Sequence, residues 1–487
     1  MTKEVIDYQN SAQAIVPTAF ALPEAVFREY DIRGYAETEI DTEFARRLGT
    51  AMAAILHSNN LTKIYVGRDC RLSSPTLAQA LKSGLLAAGV DVIDLGIVTT
   101  SALNFAIYQG GDCSAGIMVT ASHNPREYNG FKIIVRGQVI AGETLQRIKS
   151  LMISDAPCIG QRGRETNQDI IPDYLQQIVE DCSINPGSKI VIDAGNGAAG
   201  PLAVNLFRHL GAELVTLFCE PDGNFPNHDP NPSNEGNLQQ LIDSVVSTKS
   251  DLGLAFDGDG DRLVVITGDG EIIWPDKLMM IFARDILHRN SNAQIVYDVK
   301  SSRCLEDLVR QYSGTPVMCK TGHAHVRKAV HETGAVLGGE FSGHIFFNDR
   351  WYGFDDGLYA AARLLEILST NDDCLESAVQ QSTLNQVIGD LEKSVYTPEL
   401  LIPVSESVKF KLMQTVSNNC QFKGANIITI DGLRVEYPNG WGLVRASNTS
   451  PHLTMRFEAD NSFELERIKE LFRSELSPFI NNMEQYF

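Results

Sequence analysis

Lys63-Ile-Tyr-Val-Gly-Arg-Asp69 is a short β-rich run that passes into small and polar residues and then a helix-like stretch, after which Gly89-Val-Asp-Val-Ile93 opens a second β-rich run. Strand, turn, helix, glycine, strand is the signature of a βαβ unit. The same order recurs twice: Lys189-Ile-Val-Ile-Asp-Ala194 leads to Gly211-Ala-Glu-Leu-Val215, and Gln294-Ile-Val-Tyr-Asp-Val-Lys300 leads to Gly314-Thr-Pro-Val-Met318. This recurrence predicts three related α/β domains. The last hundred residues read differently, with a helix-like stretch near Val408 to Val416 and β-rich runs at Ile427–Ile430, Leu433–Tyr437, Gly442–Arg445 and Leu453–Phe457. Asn439-Gly440 between two such runs favours a hairpin, and an amphipathic helix from about Phe463 completes a smaller α+β domain. The spacing puts the domains at 1–166, 167–271, 272–385 and 386–487. Residues 1–20 carry no usable motif.

Length and composition agree with several folded domains. At roughly 150 residues per domain, 487 residues suggest three or four. Apolar residues make up 43% and charged residues 21%, the balance of a globular chain that can bury sizeable cores. Lys and Arg total 41 against 61 Asp and Glu, a formal charge of −20. A surplus of that sign disfavours nucleic acid or an anionic membrane as partner. An anionic small substrate needs only a local group of cations. No apolar run is long enough for a transmembrane helix. Glu4 and Asp7 before Pro17 do not make a secretory signal, and nine scattered cysteines without a C-x-x-C pair suit a reducing compartment. The expected location is the cytoplasm.

Asp257-Gly-Asp-Gly-Asp261-Arg262 follows the apolar run Leu252–Phe256. Three carboxylates at alternate positions, with glycines that let the backbone curl, can converge on one hard divalent cation. An EF-hand would need Gly and Glu where Arg262 and Gly268 stand. Few protein ligands leave room for phosphate oxygens, which favours Mg²⁺. Thr120-Ala-Ser-His-Asn-Pro125 follows Ala115–Val119; Ser122 beside His123 suggests a hydrolase dyad, but sequence neighbours generally point apart and no G-x-S-x-G elbow is present. The alternatives are a Ser that carries a phosphoryl group near the metal, or an ordinary Pro-terminated turn. In Gly338-Gly-Glu-Phe-Ser-Gly-His344, Glu340 and Ser342 face the same way if the loop is extended, as vicinal sugar hydroxyls require; a glycine-rich turn is the rival. Arg445-Ala-Ser-Asn-Thr449 offers a guanidinium, hydroxyls, an amide and backbone N–H groups that suit a phosphate, or a solvated loop. Gly195-Asn-Gly-Ala-Ala-Gly200 matches G-x-G-x-x-G, with Glu220 placed as a ribose-binding acid. That keeps a dinucleotide-dependent oxidoreductase open. A Walker motif is absent.

Taken together with Phe27-Arg-Glu-Tyr-Asp-Ile-Arg-Gly34, these motifs resemble the α-D-phosphohexomutases, most closely the bacterial phosphomannomutase/phosphoglucomutase branch. The resemblance runs from about residue 25 to the end, and in that family Asp193-Ala-Gly-Asn-Gly197 is a familiar segment. It implies three mixed-sheet α/β domains and a smaller α+β domain around a central cleft. It also implies reversible conversion of hexose 6-phosphate to hexose 1-phosphate, of mannose, glucose or both, through phosphorylated Ser122 and a hexose 1,6-bisphosphate. Mg²⁺ would be held by Asp257, Asp259, Asp261 and an oxygen on Ser122. Arg33, Lys132 and Arg262 would assist catalysis, with Tyr30, Lys300 and His323 lining the cleft. Glu340, Ser342 and His344 would read the sugar, and Arg445, Ser447, Asn448 and Thr449 would hold the distal phosphate. Lys132, His123 and His344 are candidates to take the hydroxyl proton. A phosphoglucosamine mutase shares the chemistry, but its first loop usually resembles F-G-T-D-G-I-R-G, unlike Phe27–Gly34.

Overall fold

A computed structural model describes residues 22–154, 161–369, 383–391, 393–448, 450–480 and 483–487. The first 21 residues, Cys158, Cys374 and Thr449 therefore lie outside the described residues. The seven described cysteines are free thiols. Among the described residues no helix is long and apolar enough to cross a membrane.

The first sheet contains β1 (Ile32–Tyr35), β2 (Lys63–Arg68), β3 (Asp91–Ile97), β4 (Ala115–Val119), β5 (Tyr128–Val135), β6 (Gln138–Val139) and β7 (Glu165–Asn167), in the order β1-β5-β4-β2-β3-β7 with β6 beside β5. The second contains β8 (Lys189–Asp193), β9 (Glu213–Leu217), β10 (Leu252–Phe256), β11 (Leu263–Thr267) and β12 (Ile272–Ile273), ordered β12-β11-β10-β8-β9. The third is β14-β13-β15-β16, from β13 (Gln294–Asp298), β14 (Thr315–Cys319), β15 (Leu337–Gly339) and β16 (Ile345–Phe347). All three share one plan. A central strand has a parallel neighbour on each side (β3 and β4 about β2, β9 and β10 about β8, β14 and β15 about β13), and an antiparallel strand then follows the second neighbour (β5, β11, β16).

That plan explains the repeat in the sequence. Parallel strands covered on both faces read as continuous apolar runs, and β4 and β10 are buried at every position. It also places the chemistry. The Ser122 loop joins β4 to β5, the Asp257–Asp261 loop joins β10 to β11, and the Glu340–His344 loop joins β15 to β16. These are the same topological loop in three units, each at the carboxyl end of a parallel strand where α/β sheets bind ligands.

One apolar cluster that includes Tyr65, Phe105, Tyr174, Phe207, Phe282 and Trp351 runs continuously through the first three units, so the three loops are held against each other by a shared core. The fourth sheet is wholly antiparallel: β17 (Val395–Tyr396), β18 (Leu400–Pro403), β19 (Asn426–Ile428), β20 (Leu433–Tyr437), β21 (Gly440–Ala446) and β22 (His452–Ala459), covered by the Lys409–Asn419 and Ser462–Leu476 helices. The β20–β21 hairpin turns at Pro438-Asn439. Arg434 docks this unit on the third by donating to the carbonyls of Val299 at 2.6 Å and Ser301 at 2.8 Å.

Candidate active site

Ser122 is buried and stands at φ 52°, a left-handed conformation uncommon for a residue with a side chain and a frequent mark of functional sites. The turn swings its Oγ to 2.7 Å from Asp257 Oδ2 and also brings His123 Nδ1 within 3.2 Å. The expectation that Ser122 and His123 point apart is thus corrected, because the left-handed turn folds the second side chain back over the first. Arg71, at the end of β2, pins the loop from beneath. Its guanidinium donates to the carbonyls of Ser122 at 2.8 Å, Asn124 at 2.7 Å and Pro125 at 2.7 Å, while Asp69 accepts from its Nε at 3.0 Å.

Asp257, Asp259 and Asp261 are fully buried and their oxygens cluster. Glycine is required between them. A Cβ on Gly258 would lie 2.5 Å from the Ser122 carbonyl, and Gly260 sits at φ 73°. Thr99 caps the Thr100–Gln109 helix through Ala102 N–H, which presents the Thr100 hydroxyl to Asp259 Oδ2 at 2.6 Å. Lys132, on β5, donates to the same oxygen at 2.6 Å and also bonds Asp261. Burial and mutual repulsion push Asp257 well above the usual carboxylate range and Asp261 upward. Asp259 moves down: burial opposes its charge, but Lys132 and Thr100 outweigh burial. Asp259 Oδ1 and Asp261 Oδ1 remain buried without a hydrogen-bond partner among the described residues. Orphaned anionic oxygens are costly, and a set of hard oxygen donors with two such atoms could hold a divalent metal.

A cleft of about 540 Å³ opens above Ser122, lined by Tyr30, Arg33, Lys132, Arg262, Lys300, His323, Glu340, Ser342, His344, Arg445, Ser447 and Asn448. Every described residue expected to meet the substrate is therefore gathered there, while the three Asp form the floor behind Ser122. Glu340 Oε2 and Ser342 Oγ are buried and unpartnered within it. The second and third units meet where Arg262 bridges to His344, and Arg262 Nε donates to His344 Nε2 at 3.1 Å. Because Nε2 accepts from Arg262, a neutral ring carries its proton on Nδ1, which lies 2.8 Å from Asp355 Oδ2 without hydrogen-bond geometry. Burial lowers this imidazole to about 4, so it is neutral. His323 is likewise held well below its usual value by burial, and its ring meets Tyr30 edge-on at 4.9 Å. Arg33 is fixed by Asp31 at 2.6 Å and Asn124 at 2.8 Å. From the fourth unit, Arg445 Nε donates to Asp431 Oδ2 at 2.9 Å, and Lys300 faces Glu399 at 3.5 Å.

The description "Phosphoglucomutase/phosphomannomutase, alpha/beta/alpha domain" matches residues 24–156 as domain I, 172–270 as domain II and 274–385 as domain III, and the C-terminal domain of that family matches 402–475. The chain belongs to the phosphoglucomutase/phosphomannomutase family. Among its relatives, a phosphomannomutase/phosphoglucomutase of Pseudomonas putida is 46% identical over 95% of this chain and 97% of its own length, and a phosphoglucomutase of Neisseria gonorrhoeae is 44% identical over 92% and 96%. A solved phosphoglucomutase/phosphomannomutase family protein of Burkholderia thailandensis superposes with a TM-score of 0.87 at 45% identity, over 95% of this chain and 99% of that one.

Phosphoglucomutase/phosphomannomutase membership removes the dinucleotide reading, and the packing accounts for its glycines. A Cβ at Gly197 would strike Gly258 Cα at 2.8 Å, and one at Gly200 would strike the Cys219 carbonyl at 2.1 Å. The fingerprint serves to seat the Asp257–Asp261 loop and to pack strand on helix. Three residues of the site escaped the sequence: Arg71, Thr100 and Asp355. Only Arg71, two residues after Asp69 at a strand end, left any local signal.

Proposed function

We propose that this chain, which interconverts hexose 6-phosphate and hexose 1-phosphate, does so through a phosphoryl group carried on Ser122 Oγ and a hexose 1,6-bisphosphate that turns over in the cleft. Support comes chiefly from one observation: a buried Ser in a left-handed turn, 2.7 Å from a carboxylate of the acidic triad, in a cleft also lined by Arg445 of the fourth unit. A reacting centre at one end and a phosphate-binding cation at the other are what a substrate with two alternative phosphate positions demands.

Asp257, Asp259, Asp261 and an oxygen on Ser122 would hold Mg²⁺, which neutralises charge on a transferring phosphoryl group. The free sugar hydroxyl attacks phosphorus, the bond from phosphorus to Ser122 Oγ breaks, and the hydroxyl proton passes to a base. His123 and His344 both line the cleft and are candidates for that base. Lys132 is held as a cation by Asp259 and Asp261, whose charges outweigh burial and raise its pKa. It stabilises phosphoryl charge, with Arg262 and Arg33. Glu340 and Ser342 supply free acceptors for sugar hydroxyls. Reversal of the bisphosphate exchanges the two phosphates between Ser122 and the wall formed by Arg445, Ser447 and Asn448.

A coupled assay with mannose 1-phosphate and glucose 1-phosphate, each with and without a trace of the hexose 1,6-bisphosphate, tests the reading. Turnover of at least one sugar, accelerated by the trace, is expected. Turnover that the bisphosphate never affects, in enzyme stripped of phosphate, would sink the shuttle. Product from glucosamine 6-phosphate alone would make the chain a phosphoglucosamine mutase.

A further inference from the structure

Arg327 lies on the His323–Thr333 helix of the third unit and is only 6% exposed. A guanidinium offers five N–H donors and cannot shed its charge. Among the described residues its hydrogen-bond partner is the neutral Asn104 amide, reached from Nη1 at 2.8 Å, and no carboxylate there comes within ion-pair distance. The opposite pattern holds elsewhere in this acidic chain: Arg71, Arg363 and Arg456, still more deeply buried, each pair with an Asp. Burial pushes Arg327 below the usual guanidinium range, and the more distant Asp355 and Tyr108 do not restore it. A largely buried cation without a counter-charge is expensive to keep, and Arg327 has N–H groups beyond the one on Asn104 that can meet an acceptor in the groove it lines.

Those groups border a groove of about 620 Å³ between the first and third units, which shares no lining residue with the catalytic cleft. Arg136, in the turn between β5 and β6 and bonded through Nη2 to the Asn59 carbonyl at 2.8 Å, adds a second guanidinium, and His331, one helical turn beyond Arg327, and Asn348 add a ring and an amide. The acidic residue on the rim, Asp112, is paired with Lys63 at 2.9 Å. On the apolar side, the rings of Tyr108 and Tyr352 stand 4.7 Å apart. The groove thus gathers cations on a chain whose formal charge is −20, with an aromatic wall beside them.

We propose that this groove is a second ligand site, which takes a small phosphate-bearing molecule with its phosphate on Arg327 and Arg136 and its organic body against Tyr108 and Tyr352. Two guanidinium groups suit the doubly charged, many-oxygened phosphate better than a single carboxylate. The groove abuts the helix that supports the metal loop, since Asn104 also donates to the Thr100 carbonyl at 3.1 Å and the Thr100 side chain holds Asp259.

The test uses full-length protein carrying Arg445→Ala, which weakens phosphate binding in the cleft, and phenyl phosphate as the probe, followed by calorimetry. Binding is expected to persist in that background and to weaken at least about tenfold when Arg327→Met is added, the loss of a charge-assisted contact. Benzoate, of similar shape with a carboxylate, should bind at least about tenfold more weakly than phenyl phosphate. Where Arg327→Met does not fold, exposed Arg136→Ser decides in its place, with a several-fold loss expected. No binding in the Arg445→Ala background, unchanged affinity in the deciding variant, or equal affinity for benzoate would each overturn the proposal.

Discussion

Arg71 Nη2 donates to the Ser122 carbonyl at 2.8 Å, so the left-handed turn that aims the serine is fixed by a residue 51 positions earlier in the chain. Because Arg71 also holds Asn124 and Pro125 and is fully buried against Asp69, its removal leaves both an uncompensated carboxylate and a loosened loop. Arg71→Met is expected to lower stability by about 3–5 kcal/mol, the cost of stranding one partner of a buried pair. In the folded fraction kcat should fall by about a hundredfold from misplacement alone. Thermal unfolding and steady-state kinetics at a permissive temperature check both; native kcat in the variant would show that the loop holds its own shape.

Ser122 itself supports a sharper expectation. Mass spectrometry of freshly prepared protein should find partial phosphorylation at Ser122, and Ser122→Ala should lose at least about a thousandfold in kcat, as for removal of a covalent nucleophile. A fully active Ala variant contradicts the shuttle outright.

The crowded carboxylates yield a metal prediction. Asp259 Oδ1 and Asp261 Oδ1 are orphaned and buried, so chelation followed by dialysis should abolish turnover and Mg²⁺ should restore it. Asp259→Asn removes one of three charges and should raise the Mg²⁺ concentration needed for half-activity by about tenfold or more. Undiminished activity in excess chelator is the result that rejects a metal role.

How much of this was legible in the sequence follows from the range of each interaction. The buried parallel strands announced themselves as apolar runs because their pattern is local, and the Ser122, Asp257–Asp261 and Glu340–His344 motifs did so because each lies within one loop. Arg71, Thr100 and Asp355 did not. Thr100 meets Asp259 across 159 residues, and nothing near Thr100 distinguishes it from any residue at the start of a helix. The fold supplies that information by giving all three units one plan, so that the same loop recurs three times around one cleft. The apparent dinucleotide fingerprint misleads for a related reason: close packing demands glycine whether the neighbour is a pyrophosphate or, as at Gly197, another backbone.

His228 offers a pH test away from the metal loop. Its Nε2 lies 3.1 Å from Asp193 Oδ2; burial opposes its charge, but the hydrogen bond and charge of Asp193 outweigh burial and raise its pKa above 6.5. The folded state therefore binds this proton more tightly than the unfolded chain. The stabilisation is complete below pH 6.5 and fades as pH rises through the native value. The His228 resonance should titrate above 6.5 in native protein and near or below 6.5 in Asp193→Asn, and the stability gap between the two should narrow with rising pH. A gap that widens would reverse the assigned sign.

Arg445 carries the last prediction. With Ser122 beside Asp257 as the single reacting centre of the proposed shuttle, each orientation of a bisphosphate sends a different phosphate to the Arg445 loop, so a single pocket must accept both the 1- and the 6-phosphate. Arg445 Nε donates to Asp431 Oδ2 at 2.9 Å, which orients the guanidinium and leaves its two terminal nitrogens for a phosphate. Comparing forward and reverse kcat/KM cannot test this, because the overall equilibrium constant forces both to fall by one factor in any variant. Direct binding can. Loss of a charge-assisted, bidentate contact costs about 1.5–3 kcal/mol, roughly ten- to a hundredfold in Kd. Calorimetry on Arg445→Ala should show hexose 1-phosphate and hexose 6-phosphate weakened to a similar degree, whereas Asp431→Asn, which loosens the guanidinium without removing it, should weaken both by less. If one isomer binds Arg445→Ala normally, the two phosphates use separate sites and the exchange of ends within one pocket is wrong.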